Sequence, residues 1–198
     1  MNIKDYAKKF WRFLKEDTWQ SWIVSLILLI ILIKFIFFPF IGLISGTSLP
    51  LVIVESCSMY HEAGFDDWWD ANGAWYEYRN ISKQQFKSFS MANGFNKGDI
   101  LLVWGRTERN IGDIIIFEAG SKYPLIHRIV SEDPLATKGD HNSDQLRLGN
   151  NAYNLDETNI SQSSFVGEAK FKIVPLLGWA KLIWFEPFKP KSERGFCK

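Results

Sequence analysis

Ser58 is the hydroxyl whose surroundings make it a candidate nucleophile. It lies in Leu49-Pro50-Leu51-Val52-Ile53-Val54-Glu55-Ser56-Cys57-Ser58-Met59-Tyr60. There Val52, Ile53 and Val54 are β-branched and favour an extended strand that delivers the serine at its end. A serine hydroxyl attacks poorly until a base takes its proton. The chain has three histidines, His61, His127 and His141. His127 interrupts the apolar run Ile126-His127-Arg128-Ile129, where an unpaired imidazole is expensive to bury. Two roles explain it: a core histidine with one satisfied hydrogen bond, or a general base, since imidazole chemistry suits proton transfer near neutral pH. A histidine base also wants a carboxylate to fix its tautomer. Asp140 and Asp144, in a turn shortly after the His127 strand, are the two candidates. The histidines show neither the i, i+4 pair nor the short paired spacings of metal sites, so neither metal nor cofactor is expected. Cys57, beside Ser58, reads either as a rival nucleophile or as a small buried filler. It and Cys197 are too few for a disulfide scaffold.

These residues need a scaffold, and the chain provides it in a readable order. Residues 1–18 form an amphipathic, mostly basic lead with Ile3, Tyr6, Phe10, Phe13 and Leu14 at helical spacing. Trp19 and Trp22 then open an apolar run through Ile44, long enough to span a bilayer. Lys34 sits awkwardly inside it, either snorkelling, facing a partner or marking the effective end of the span. The run is longer than a signal-peptide core and no small-x-small cleavage site follows, so an uncleaved anchor is expected. The basic flank precedes the span, which places residues 1–18 in the cytoplasm, 19–44 in the membrane and the residues after about 45 outside the cytoplasm. With a net charge of +1, the chain has no electrostatic basis for a nucleic-acid partner. Nine tryptophans suit membrane interfaces, a tryptophan-rich core, or both.

Beyond a Ser45–Pro50 linker and the serine stretch, residues 62–95 read as an insertion without strand pattern. Its helix over Ser82–Phe89 has Ser82 as N-cap and Gln85 at N3. Its aromatics would dip toward the membrane, cover the site, or simply pack. From Lys97 the chain becomes β-rich, with strands at Ile100–Trp104, Ile114–Phe117, Leu125–Val130 and Ser164–Val174, and Ala136–Lys138 leading into a turn-rich loop, Gly139–Asp144. No long helical pattern separates them, so a mainly β, antiparallel, barrel-type domain over residues 45–174 is expected. Residues 175–198 read as an apolar tail too short to span and suited to a membrane surface.

The ordered pieces Ser58-Met59, Lys97-Gly98-Asp99-Ile100, Gly112-Asp113-Ile114-Ile115, Ile126-His127-Arg128-Ile129 and Lys138-Gly139-Asp140-His141-Asn142 with Asp144, all behind an anchor, resemble type I signal peptidase. The resemblance is to the archaeal and endoplasmic-reticulum branch, in which histidine replaces the bacterial catalytic lysine, and it covers roughly residues 20–60 and 96–180. It implies a single-pass membrane serine endopeptidase cutting secretory preproteins after small residues at −1 and −3. Membrane lipid and a translocon would be its partners. Ser58 would be nucleophile, His127 base, Asp144 the orienting acid and Asp140 its support or a loop brace. Ile53, Val54, Glu55 and Met59 would line the substrate, which adds as a strand near Ile53–Glu55. The histidine-type motif suggests an archaeon. Three departures stand out: His61 replaces a proline common in the family, Asp144 follows Asp140 closely, and residues 62–95 exceed the minimal connection. Two other functions share these features: a non-catalytic signal-sequence-binding or scaffold relative, and a processing protease for sorting or pilin-like substrates.

Overall fold

The computed structural model describes residues 2–120, 123–149, 151 and 155–198. The chain forms two compact units, Met1–Ile44 and Ser45–Lys198.

The first unit is helical. Helix α1 (Ile3–Leu14) starts at a capping box between Asn2 and Asp5, and none of its described residues is buried. Helix α2 (Trp19–Leu32) is capped by Thr18, whose hydroxyl accepts from the Ser21 N–H. It runs through a π-helical turn, Ile33–Phe37, into α3 (Phe38–Ser45). The wide turn precedes Pro39, which lacks an N–H and crowds the carbonyl four residues back. Together Trp19–Ser45 make 27 residues with an 18-residue stretch of mean hydropathy 2.9, long and apolar enough to cross a membrane.

The second unit is built on a curled six-stranded antiparallel sheet. In chain order the strands are β1 (Leu51–Ile53), β2 (Ile100–Trp104), β3 (Ile114–Phe117), β4 (Leu125–Glu132), β5 (Leu135–Lys138) and β6 (Phe165–Val174). Their spatial order is β1-β2-β6-β3-β4-β5. The sheet is thus a half-barrel, the coarser part of the barrel-type expectation, and among the described residues it ends at β1 and β5 rather than closing. The mainly β part of the expectation is not shown, because helices hold 38% of the described residues and strands 18%. The excess helix comes from the apolar run, the insertion and the tail helix α6 (Trp179–Phe185).

β3 is buried along its whole length, because both faces of the sheet are covered. Ile114 and Ile116 pack with Val54, Met59, Phe95 and Leu101, while Ile115 and Phe117 pack with Ile129, Leu135 and Ile160. A strand buried on both faces reads as a continuous apolar run rather than an alternation, as Ile-Ile-Ile-Phe does.

The insertion supplies a third core. Its main helix, α4 (Phe65–Glu77), is invisible to a strand search. Asp66 and Asp67 in its first turn complement the helix dipole. Phe65, Trp68, Trp69 and Tyr76 fall on one face at helical spacing and are buried. Gly73 leaves room for the Trp69 indole, whose Nε1 lies 2.5 Å from where a Cβ would stand. Helix α5 (Lys83–Lys87) is shorter than expected, with Ser82 capping the Gln85 N–H. It buries Phe86 completely among Trp68, Trp69 and Tyr76. Phe65, Trp68, Trp69, Tyr76 and Phe86 are thus core, packed against Val130 and Ala136 of β4 and β5, while Tyr78 faces out. Phe86→Ala should lower the unfolding free energy by about 3–5 kcal/mol, measured by denaturant titration in detergent.

Candidate active site

Ser58 sits half-buried in a tight turn beyond β1. The Tyr60 N–H donates to the Cys57 carbonyl at 3.0 Å, closing the turn. Two further backbone bonds hold it: His141 N–H to the Ser58 carbonyl at 2.8 Å, and Phe95 N–H to the Met59 carbonyl at 3.0 Å. The Met59 side chain is buried in the sheet core and receives the Asp140 N–H on its sulfur at 3.4 Å. The Ser58 hydroxyl lies 3.2 Å from that of Ser56. Cys57 is neither filler nor free thiol. It is bonded to Cys197, 140 residues away, so the turn is also tied to the end of the described chain.

His127 projects from β4, where it pairs with Ile115, and is 2% exposed. Its Nδ1 is hydrogen-bonded to Glu157 Oε1. Glu157 is completely buried and anchored by Thr137 Oγ1 at 2.9 Å and the Leu146 N–H at 2.7 Å. A carboxylate accepts only, so it selects the tautomer with the proton on Nδ1. The lone pair is then on Nε2, which is buried and has no hydrogen-bond partner among the described residues. Gly139 explains the space around it. A Cβ there would stand 2.8 Å from His127 Nε2, 2.8 Å from the Ser58 carbonyl oxygen and 2.7 Å from Asn142 Nδ2. The imidazole and the serine residue therefore meet across a position that only glycine leaves clear.

Neither expected aspartate holds His127. Asp140 is fully buried and accepts from Arg128 Nε at 3.0 Å and Nη2 at 2.7 Å, from Tyr76 Oη at 3.1 Å and from His61 Nε2 at 3.0 Å. Burial alone pushes its carboxyl up. The Arg128 guanidinium and the His61 bond outweigh this and hold it well below the usual carboxylate range. Asp144 is exposed and accepts from Trp75 Nε1 at 2.8 Å and the Gln145 N–H at 2.8 Å, which lower its pKa. Glu157 has no local signal in the sequence, because it lies 30 residues beyond His127, between strands. Backbone bonds from the Thr137 N–H to its carbonyl and from its N–H to the Leu146 carbonyl bring it back. Lys138, also buried, has its pKa pulled down to about 8 by desolvation, against the pull of Asp140 and Glu157. It donates to the Gly139 carbonyl at 3.1 Å.

The expected substrate-lining residues separate. Val54 and Met59 are core side chains, because the strand turns them into the sheet. Ile53 is half-buried on the edge strand. Glu55 is engaged by the tail through Lys181 at 3.1 Å and, at its carbonyl, Lys189 at 3.0 Å. The tail itself folds on buried Lys97, which reaches Glu186 and the Glu193 carbonyl.

No family model matches the chain. Curated proteins do. The signal peptidase complex catalytic subunit SEC11 of Zygosaccharomyces rouxii is 35% identical over 113 residues, 52% of this chain and 64% of that protein. The same subunit from Colletotrichum graminicola is 31% identical over 111 residues, 50% of this chain and 61% of that protein. The subunit from Lodderomyces elongisporus is 41% identical over 70 residues, 31% of this chain and 42% of that protein. The chain's homologues are signal peptidase catalytic subunits. The match spans less than two thirds of these relatives' length. All three are fungal, and they give the archaeal expectation no support.

The two aspartates should differ sharply in a denaturation experiment. Asp140→Asn leaves the Arg128 guanidinium buried without its counter-charge and should cost about 3–5 kcal/mol. Asp144→Asn, on the surface, should cost far less. In the wild type, the stability that Asp140 contributes is present above the ordinary aspartate range and is lost as pH falls through and below it, because its folded pKa is depressed.

Proposed function

We propose that this chain is a membrane-anchored serine endopeptidase that removes N-terminal signal peptides from secretory preproteins. One observation carries the reading: a buried imidazole whose Nδ1 is held by Glu157 and whose Nε2 lone pair faces the serine turn across Gly139. The homology to signal peptidase catalytic subunits supports it.

Ser58 is the nucleophile and His127 the general base. Nε2 takes the Oγ proton as Oγ attacks the carbonyl carbon of the scissile peptide. The Ser58 backbone N–H stabilises the oxyanion of the tetrahedral intermediate. His127 then hands the proton to the leaving amine, and water, deprotonated by the same nitrogen, hydrolyses the ester. Glu157 replaces the expected aspartates as the orienting carboxylate, while Asp140 braces the loop that carries Gly139. The preprotein adds as a strand to the open edge of β1, where the backbone groups of Leu51 and Ile53 point away from β2. Small residues occupy −1 and −3.

Trp19–Ser45 anchors the chain in the membrane with residues 1–18 cytoplasmic. The Cys57–Cys197 bond fits an oxidising, extracytoplasmic compartment. Leu177, Ile183, Trp184 and Phe188 are more than half exposed on the tail and suit a lipid surface. Membrane lipid, and a translocon that presents the substrate, are the partners.

A preprotein with an Ala-x-Ala site, in liposomes, tests the assignment. The wild type should cut it after the second alanine, and Ser58→Ala should not. Glu157→Gln, which can donate to Nδ1 and reverse the tautomer, should lower kcat by about 10³–10⁴-fold. Cleavage by Ser58→Ala would overturn the nucleophile. Full activity in Glu157→Gln would overturn the orienting role.

A further inference from the structure

His61 stands three residues after Ser58 and is 6% exposed. Its Nε2 is 3.0 Å from Asp140 Oδ2. Its ring stacks on Trp68 of the insertion, with centroids 3.7 Å apart and planes 2° from parallel. On its other side Gly94, at the end of the insertion, approaches so closely that a Cβ would stand 2.6 Å from His61 Cδ2 and 2.4 Å from the Met59 carbonyl oxygen.

The partner of this histidine is what matters. Asp140 follows Gly139 and is clamped by Arg128, which follows His127. Arg128 in turn donates to the Ser90 carbonyl at 2.9 Å and the Met91 carbonyl at 3.2 Å, both in the insertion. Tyr76, also in the insertion, completes the set. Backbone bonds at the Ser58 and Met59 carbonyls, the buried Met59 side chain and the Cys57–Cys197 bond hold the turn from the sheet and the tail. The His61–Asp140 bond adds the tie on the insertion side and so completes the set that aims the Ser58 hydroxyl.

Resting on the reading of Ser58 as nucleophile, we infer that His61 is a positioning residue. Held between Asp140 and Trp68, it orients the nucleophile turn against the His127 strand and makes the 62–95 insertion part of the working site.

The arrangement also sets a protonation requirement. Asp140, Arg128, His141 and Tyr76 are the titratable groups that face or neighbour His61. Burial, the largest effect, lowers its pKa, and Arg128 and His141 add to this against the pull of Asp140. With Nε2–H given to Asp140, Nδ1 is buried and has no hydrogen-bond partner among the described residues. A second proton would have no acceptor, so acid should loosen the turn at a site separate from the base.

Three proteins in detergent test this: wild type, His61→Phe, which keeps a ring on Trp68 and loses the donor, and His61→Gln, which restores a donor that does not titrate. Two readouts are taken. One is amide hydrogen exchange over residues 57–61. The other is the rate at which a fluorophosphonate modifies Ser58, forming the Oγ–P bond and releasing fluoride, followed by mass spectrometry across pH. His61→Phe should exchange faster in the turn and react about 10²-fold more slowly, with a melting temperature close to wild type. His61→Gln should recover both and show an acid limb one proton shallower than wild type. Wild-type exchange and reactivity in His61→Phe would overturn the inference, as would His61→Gln behaving like His61→Phe. Faster exchange in His61→Phe, with no modification of the wild-type serine, would uphold the clamp and overturn the peptidase reading on which its purpose rests.

Discussion

Arg128 is completely buried, and a buried guanidinium tolerates few surroundings. Taking such an ion out of water costs several kcal/mol unless its donors are matched. Here Nη1 serves the Ser90 and Gly112 carbonyls, Nη2 serves Met91 and Asp140, and Nε serves Asp140. These partners belong to three stretches besides β4: the end of the insertion, the turn before β3, and the loop after β5. One side chain therefore dictates how four segments meet. Apolar replacements of buried ion pairs can be as stable as the originals, so the contribution of this pair is better sought in geometry than in stability.

The pleat of β4 turns that geometry into chemistry. Neighbouring strand residues point to opposite faces, so Arg128 faces the insertion while His127 faces Phe117 and Glu157. The structural node and the candidate base are adjacent in sequence and separated by the thickness of the sheet. The same division recurs at Gly139 and Asp140, the first leaving space at the imidazole and the second filling the node. A strand held rigidly on one face can present an imidazole on the other with little freedom, which proton transfer needs.

Local signals made part of this arrangement legible in the sequence. Strand positions are readable because β-branched runs between turn residues carry such a signal, and Ser58 and His127 stand out as polar residues at the end of, or inside, such runs. Glu157 carries none. An acidic residue in a polar loop looks solvated until the chain returns it to Thr137 and Leu146. Asp140 and Asp144 are closer in sequence to His127, yet Arg128 claims one and the surface the other. The Cys57–Cys197 bond is equally hidden, since a pair 140 residues apart has no spacing to recognise. The insertion is legible only in part, because its helix α4 mixes acidic and aromatic residues. Its face becomes evident only where Trp68, Trp69 and Tyr76 find Phe86.

The turn that carries Ser58 is held from three directions, and the brevity of the strand before it explains why. β1 is three residues long, too short to hold the turn in place by itself. It also lies at the edge of the sheet, where half its backbone groups have no neighbouring strand. The disulfide and the Lys189 contact to the Glu55 carbonyl secure the turn from the tail. Met59 secures it from the sheet core, and His61 from the insertion. An edge left open for an extended peptide cannot also be stabilised by another strand. Side-chain anchors behind the turn are the arrangement that keeps the edge available and the serine still.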